Sequence, residues 1–462
     1  MIKLSKIYKI ILAVGLILIH SCKKFVEIEA PRTGLVKTTV FDNDATANSA
    51  MLGLYYHIRS TGFANGTSSA SISFIMSLAS DEQISYITGS NSTVVDYQQL
   101  NENSLLPNNA GVLRIWSDLY KCIFEANSIL EGISSSSGLT VNLSKQLEGE
   151  AKFIRAFCNF YLVNLWGDIP LVTTTDYRIN EKLSRESKVT VYQNIISDLI
   201  AAQSLLPSNY SFSNNERVRA TKWAASSMLA RVYLFMEDWV NAEIQSTSVI
   251  SNSGDYSLVT DLNGVFLKNS SEAILQWWSD QRANDWVTFY PLTSPPLSGG
   301  IRPQFVNDFE TGDLRKTKWI GSNGGYFGTL KYSSSTFSPP AEYSTVLRLA
   351  EQYLIRGEAR ARQGKITGVN SAESDINIIR NRAGLVPTTA MTQSQMLTAI
   401  EIENRAEFFN EWGHRWFDLV RTNRATEILL PIKSQWTQNA QLFPIPESEI
   451  RNNPNLTQNP GY

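Results

Sequence analysis

The chain has 462 residues, 43% of them hydrophobic and 18% charged, with 11 Trp, 18 Tyr and a formal charge of −2. That length is enough to bury a sizeable core in one large domain or two to three ordinary ones. The near-neutral charge argues against nucleic acid as a partner, and 3 Cys in so long a chain exclude a disulfide framework.

The N-terminus reads MIKLSKIYKI and then ILAVGLILIHSC: Lys3, Lys6 and Lys9 without an acid, an apolar run from Ile10 to Ile19, then Cys22. This is the plan of a secretory signal over residues 1–21; a membrane span needs about twenty apolar residues, roughly twice that run. Without the signal the chain carries 38 basic against 43 acidic side chains. Leu18-Ile19-His20-Ser21-Cys22 resembles a lipobox, which implies cleavage before Cys22 and acylation of its thiol and new amine; an ordinary signal that merely precedes a Cys is the alternative. Each buried lipid methylene contributes about 0.8 kcal/mol, so several acyl chains on Cys22 hold a protein firmly to a membrane surface. Residues 22–45, with Pro31, Gly34 and no strong period, read as a lipidated tether.

The body is expected to be mainly α, with an N-terminal helical part over 46–251 and a C-terminal part over 252–462. Residues 61–110, rich in small polar residues and holding Tyr86 and Tyr97, read as loop-dominated. From Lys145 to Trp166 the positions Leu147, Ala151, Ile154, Cys158, Tyr161 or Leu162, and Leu165 recur every three to four residues, which predicts a helix with one buried stripe. Gly167 and Pro170 end it. Cys158 and Cys122 both sit among apolar residues of helical patterns and read as core thiols. Thr221 is a candidate N-cap for a run through Ala224, Met228, Leu229, Val232 and Phe235 to a break at Glu237-Asp238. WVNAEIQSTSVI (239–250) completes a helical hairpin, with small Ala at the crossing, that looks like a degenerate tetratricopeptide unit. Residues 252–345 are rich in Ser, Gly, Asn, Pro and aromatics and predict a loop-rich insertion with short strands. Helical patterns return at 348–364 and from Ala372 to Asn381. The repeat length varies, so irregular helix pairs with long insertions fit better than a uniform solenoid.

EAKFIRAFCNFYLVNLWGDIPL (150–171) closely resembles the EARFLRAxxYFxLVxxWGDVPL signature of SusD/RagB proteins. CKKFVEIEAP (22–31), VFDNDATANSAMLGLYYHI (40–58), TKWAASSMLARVYLFMEDW (221–239), RLAEQYLIRGEA (348–359), EIENRAEFFNEWGHRWFDLVR (401–421) and LFPIPESEIRNNPNLTQNPGY (442–462) agree in the family's order. The resemblance covers essentially the whole chain after the signal and leaves only the loop-rich segments without a pattern. It implies tetratricopeptide-like helix pairs bearing a more irregular face, and a lipid anchor at the outer surface of a Bacteroidetes-type outer membrane. It also implies a SusC-like TonB-dependent transporter as partner, with captured oligosaccharide or polysaccharide, or in RagB-like members peptide, presented to its channel. Read physically, 150–171 is core packing. In 401–421, Glu407, Glu411, Arg415 and Asp418 fall at spacings of three or four, expected on one helical face where ion pairs add tenths of a kcal/mol each.

Chemistry-bearing patterns are sparse. His57 and His414 remain after the signal, far apart and with no Cys cluster, so neither metal nor cofactor is expected. No phosphate loop, nucleophile elbow or HExxH appears, and no catalytic residue is assigned. A glycosidase needs only two carboxylates about 5–10 Å apart, and Asp81, Glu82, Asp280, Asp285, Asp308 and Glu310 in the loop-rich regions keep that rival open. A lid that helps assemble the transporter and binds nothing tightly is a third reading.

A glycan site needs flat rings against sugar C–H faces and a rim of amide, carboxylate or Arg groups. Trp277, Trp278, Asp280, Arg282, Trp286 and Tyr290 form the densest such cluster, with Trp319 further along; Tyr86, Tyr97 and Asn101 form another. These are the candidate ligand contacts. Trp277 and Trp278 face opposite ways if they lie on a strand, which predicts that at least one is core.

Overall fold

The computed structural model describes residues 40–64, 71–87, 89–280, 296, 299–332 and 339–462. The signal, Cys22 and the tether up to residue 39 lie outside the described residues, as do Arg282, Asp285, Trp286 and Tyr290.

The described chain opens with α1 (Asp44–Ser60), α2 (Ile72–Ala79), the short strand β1 (Gln83–Ile84) and α3 (Ser92–Glu102). Residues 61–110 are thus more helical than their composition suggests. All eight residues of α2 are buried, so it has no polar face and no amphipathic period to read. The helical body follows with α4 (Ala110–Ser135), α5 (Val141–Trp166), α6 (Lys188–Leu205), α7 (Lys222–Phe235) and α8 (Trp239–Ile250). Gly167, at φ 73°, turns the chain out of α5 in a conformation that favours glycine. The break after α7 is made by Glu237 at φ 59°, and Asp238 caps α8 through Asn241 N at 3.1 Å. The loop-rich insertion carries β2 (Ala273–Trp277), β3 (Gly300–Ile301), β4 (Ile320–Asn323), β5 (Tyr326–Thr329) and β6 (Ser344–Arg348). The chain then returns to helices with α9 (Leu349–Arg362), α10 (Ala372–Arg382), α11 (Gln393–Phe408) and α12 (His414–Arg421).

Each helix from α4 to α8 packs on the next, α8 packs on α9 across the insertion, and α9 on α10 and α11. This is the expected mainly α array of helix pairs. Strands β1, β3, β5 and β4 form one antiparallel sheet in that order, and β2 pairs with β6 in another. The largest apolar core takes residues from Phe41 to Leu456 and includes Cys122 and Cys158, both fully buried.

Charged clamps join the helices inside this body. Arg155 on α5 donates to both carboxylate oxygens of Asp198 on α6, each at 2.8 Å, and to Asn127 on α4 at 2.8 Å. Arg231 on α7 grips Glu351 on α9 at 2.5 and 2.8 Å, and Arg356 and Arg360 on α9 share Asp375 on α10.

The motif at 401–421 corrects the expectation of one exposed helical face. Its helix stops at Phe408, and Trp412 at φ 46° and Gly413 at φ 75° turn the chain before α12. Glu407 is buried beneath three guanidiniums: Arg348 at 2.6 Å, Arg315 at 3.3 Å, and Arg382. Glu411 takes Arg348 at 2.9 Å and Lys331 at 2.6 Å, while Arg415 reaches Asp81 at 2.8 Å. These residues are spaced to meet partners on other elements rather than one another. Removing one member of such a buried set costs about 3–5 kcal/mol, not tenths.

Candidate ligand-binding face

The four-stranded sheet displays the first ring-bearing surface. The backbone N–H of Arg302 donates to Glu82 O at 2.9 Å, continuing the β1–β3 ladder. Tyr86 follows β1 and meets the ring of Tyr326 on β5 edge-on, at 4.8 Å between centroids and 82° between planes. Gly300 makes this approach possible, since a Cβ there would come within 2.8 Å of Phe327 O and 3.1 Å of the Tyr86 ring. Beside the rings stands Arg302, whose buried Nε has no acceptor among the described residues. Burial lowers its pKa from the usual guanidinium value, opposed by Asp81, Glu102 and Tyr86. The partly exposed rings of Tyr86 and Tyr326 present an apolar platform, and the Arg302 Nε beside them is enclosed rather than presented to solvent.

Asn101 shapes that surface from behind. Its Oδ1 accepts from Ser85 N at 3.1 Å and its Nδ2 donates to Glu102 at 2.7 Å, which pins the segment carrying Tyr86 to the end of α3.

Three candidate rings turn inward, and the expectation of ligand contact is corrected for them. Trp277, 1% exposed, packs against Phe157, Trp412 and Tyr55. Trp319, also 1% exposed, packs on Phe266 and donates its indole N–H to Leu262 O at 3.0 Å. Tyr97 lies edge-on to Phe74 at 5.2 Å. In each case helices or the insertion cover the ring faces a sugar would need.

Trp278, one residue beyond the end of β2, points the other way and is 41% exposed. The Arg59 guanidinium lies 5.7 Å from its ring centroid and 5.9 Å from that of Tyr56, and donates to Ser279 Oγ at 3.1 Å and Asp280 at 2.5 Å. Asp280 is thus half of an ion pair rather than a lone acceptor. Sequence reasoning missed Tyr56, Arg59, Arg302 and Phe212. For Tyr56 a signal existed: Leu52 and Tyr56, at i and i+4, form an exposed apolar pair on the face of α1 opposite Met51, Leu54, Tyr55 and Ile58.

Of the carboxylates that kept a hydrolase open, Asp285 lies outside the described residues and the others have structural partners. Asp81 is buried between Arg415 and Arg405; burial opposes its ionisation, but the two guanidiniums hold its pKa at about 2. Glu82 is buried beside it, accepting from Ser77 Oγ at 2.9 Å, and burial reinforced by the Asp81 charge pushes it up to about 7. Asp308 pairs with Arg405 at 2.8 Å and Glu310 with Arg380 at 2.6 Å. His57 contacts Glu125 at 2.7 Å, and His414 stacks on Phe408 inside the body.

Known proteins share this architecture. Residues 61–234 match the SusD-like family described as "Starch-binding associating with outer membrane", and residues 304–462 match the SusD/RagB family, described as "SusD family". A SusD-like protein of Formosa agariphila is 26% identical to this chain, over 99% of this chain and 100% of its own length. A SusD superfamily crystal structure from Bacteroides vulgatus superposes with a TM-score of 0.79 at 20% identity, covering 92% of this chain and 100% of that one. A structure described as a laminarin-binding SusD-like protein superposes at 0.75 with 24% identity, covering 91% and 100%. At these identities the two structures establish the fold.

Proposed function

The chain belongs to the SusD/RagB family, and from that premise we propose that it is a cell-surface glycan-binding lipoprotein. It holds oligosaccharide without transforming it and passes it to a SusC-like TonB-dependent transporter. Acylated Cys22 and the tether anchor it to the outer membrane. The observation that carries this reading is the partly exposed Tyr86–Tyr326 ring pair on the four-stranded sheet. Pyranose rings offer C–H faces to such rings. The starch-binding description of the matched family and the laminarin-binding relative support glycan as the ligand class. Among the described residues, the candidate carboxylates Asp81, Glu82, Asp280, Asp308 and Glu310 are paired or buried, which supports capture over hydrolysis.

Titration calorimetry of the mature chain against laminari-, malto-, cello- and xylo-hexaose and mixed hexapeptides tests this. Binding of at least one hexaose, weakened about tenfold or more by Tyr86→Ala with Tyr326→Ala, is the expected result. Binding of peptides alone contradicts it in favour of RagB-like peptide capture, and new reducing ends in the sugar incubations contradict the non-enzymatic role. Co-purification of the transporter with the native lipoprotein, lost on Cys22→Ala or retained in its absence, reads the anchor separately from the ligand.

A further inference from the structure

A second concave surface shares no residue with the Tyr86–Tyr326 face. Between α1, the 210–219 segment and the end of β2 lies a cavity of about 600 Å³, lined by Leu52, Tyr56, Phe212 and Trp278, with Trp277 and Arg219 also in its wall. That volume falls within the ~300–1,000 Å³ range of small-molecule clefts. Its exposed rings are large for a surface: Tyr56 is 57% and Trp278 41% accessible, next to Leu52 at 46%.

The rings are held in place. Arg59 packs against Tyr56 and Trp278 and is anchored by Asp280, and Arg219 lies 5.2 Å from the centroid of Phe212 while its guanidinium is fixed by Glu150 at 2.8 and 3.0 Å and Asn48 at 2.9 Å. Rigid aromatic platforms lose little conformational entropy when a ligand settles on them. The same contacts set the charge of the site, because both guanidiniums are balanced by carboxylates and Glu216 is matched by Lys268 at 2.5 Å. An anionic sugar would find no uncommitted cation among the described residues there.

We propose that the cleft between Tyr56, Phe212 and Trp278 is a second binding site, specific for neutral oligosaccharide and independent of the Tyr86–Tyr326 face. Two sites on one chain let a polymer engage twice and raise its apparent affinity wherever it can span them.

The test is calorimetry on four forms of the mature chain: unaltered, Tyr86→Ala with Tyr326→Ala, Trp278→Ala, and all three changes together. The probes are the neutral hexaoses named above and a hexagalacturonate control. The form lacking Tyr86 and Tyr326 should still bind a neutral hexaose and ignore the galacturonate. Adding Trp278→Ala should weaken that residual binding tenfold or more, with unchanged melting since Trp278 is a surface ring. If Tyr86→Ala with Tyr326→Ala abolishes all sugar binding, the second site is overturned while the glycan reading stands. If binding is lost with Trp278→Ala alone, the Tyr86 face is refuted and the cleft is the sole site. Unchanged hexaose binding together with loss of transporter association on Trp278→Ala overturns the proposal in favour of a protein contact.

Discussion

Glu407 and Tyr86 are both family-region residues on the same chain, yet they are held by opposite physics. Glu407 is fully buried and takes charge-assisted bonds from Arg315, Arg348 and Arg382, each from a different element. Tyr86 is partly exposed, and Tyr326 is its one ring neighbour among the described residues. The scaffold is over-determined, because a charge in the interior must find every partner or pay the full desolvation penalty. The ring-bearing face is under-determined, and that is what leaves it open to a ligand. Recurrent sequence patterns therefore mark the clamps, while the binding face can vary without disturbing the fold.

Glu407→Ala breaks this comparison most directly. It strands three buried guanidiniums and should cost about 3–5 kcal/mol or abolish folding, read by urea denaturation; a loss under 1 kcal/mol would mean that the cluster is not what joins α11 to α10, β6 and the 314–319 segment. Glu82 gives the next largest effect. Its folded pKa of about 7 stands above the ordinary 4.5, so its contribution is fully present below pH 4.5 and is lost as pH rises through 7. Relative to Glu82→Gln, the unaltered chain should lose roughly 2–3 kcal/mol between pH 5 and pH 8. Parallel stability profiles for the two forms would contradict a buried, destabilised carboxylate there. Trp278→Ala should change stability by about 0.5 kcal/mol or less, as surface substitutions do, while altering sugar binding; a large fall in melting temperature would move Trp278 to the scaffold side of the comparison. Smallest of all, Glu427→Ala at the exposed Arg424–Glu427 pair should leave the urea midpoint unchanged, and a clear fall would show that surface pairs also carry the array.

Much of the scaffold was legible in the residues. The stripe of Leu147, Ala151, Ile154, Cys158 and Leu165 gave α5, and the break at Glu237-Asp238 separated α7 from α8 where the structure does. What escaped was non-local. The period of α2 is invisible because no face of it meets water. Glu407, Glu411 and Arg415 were spaced like helix neighbours, but the helix ends at Phe408 and a turn follows at Trp412-Gly413, so Glu407 and Glu411 converge on Arg348 while Arg415 goes to Asp81. Nothing in a one-dimensional pattern tells a stacked core indole such as Trp319 from an exposed one such as Trp278. The alternation at Trp277 and Trp278 was informative only because one inward and one outward ring is what a strand end enforces.

The most direct test of the account is a crystal structure of the mature chain soaked with the tightest-binding neutral hexaose. The account predicts a pyranose face lying against the Tyr86 and Tyr326 rings. Ordered sugar found only on the helical array, away from every exposed ring named here, would contradict it.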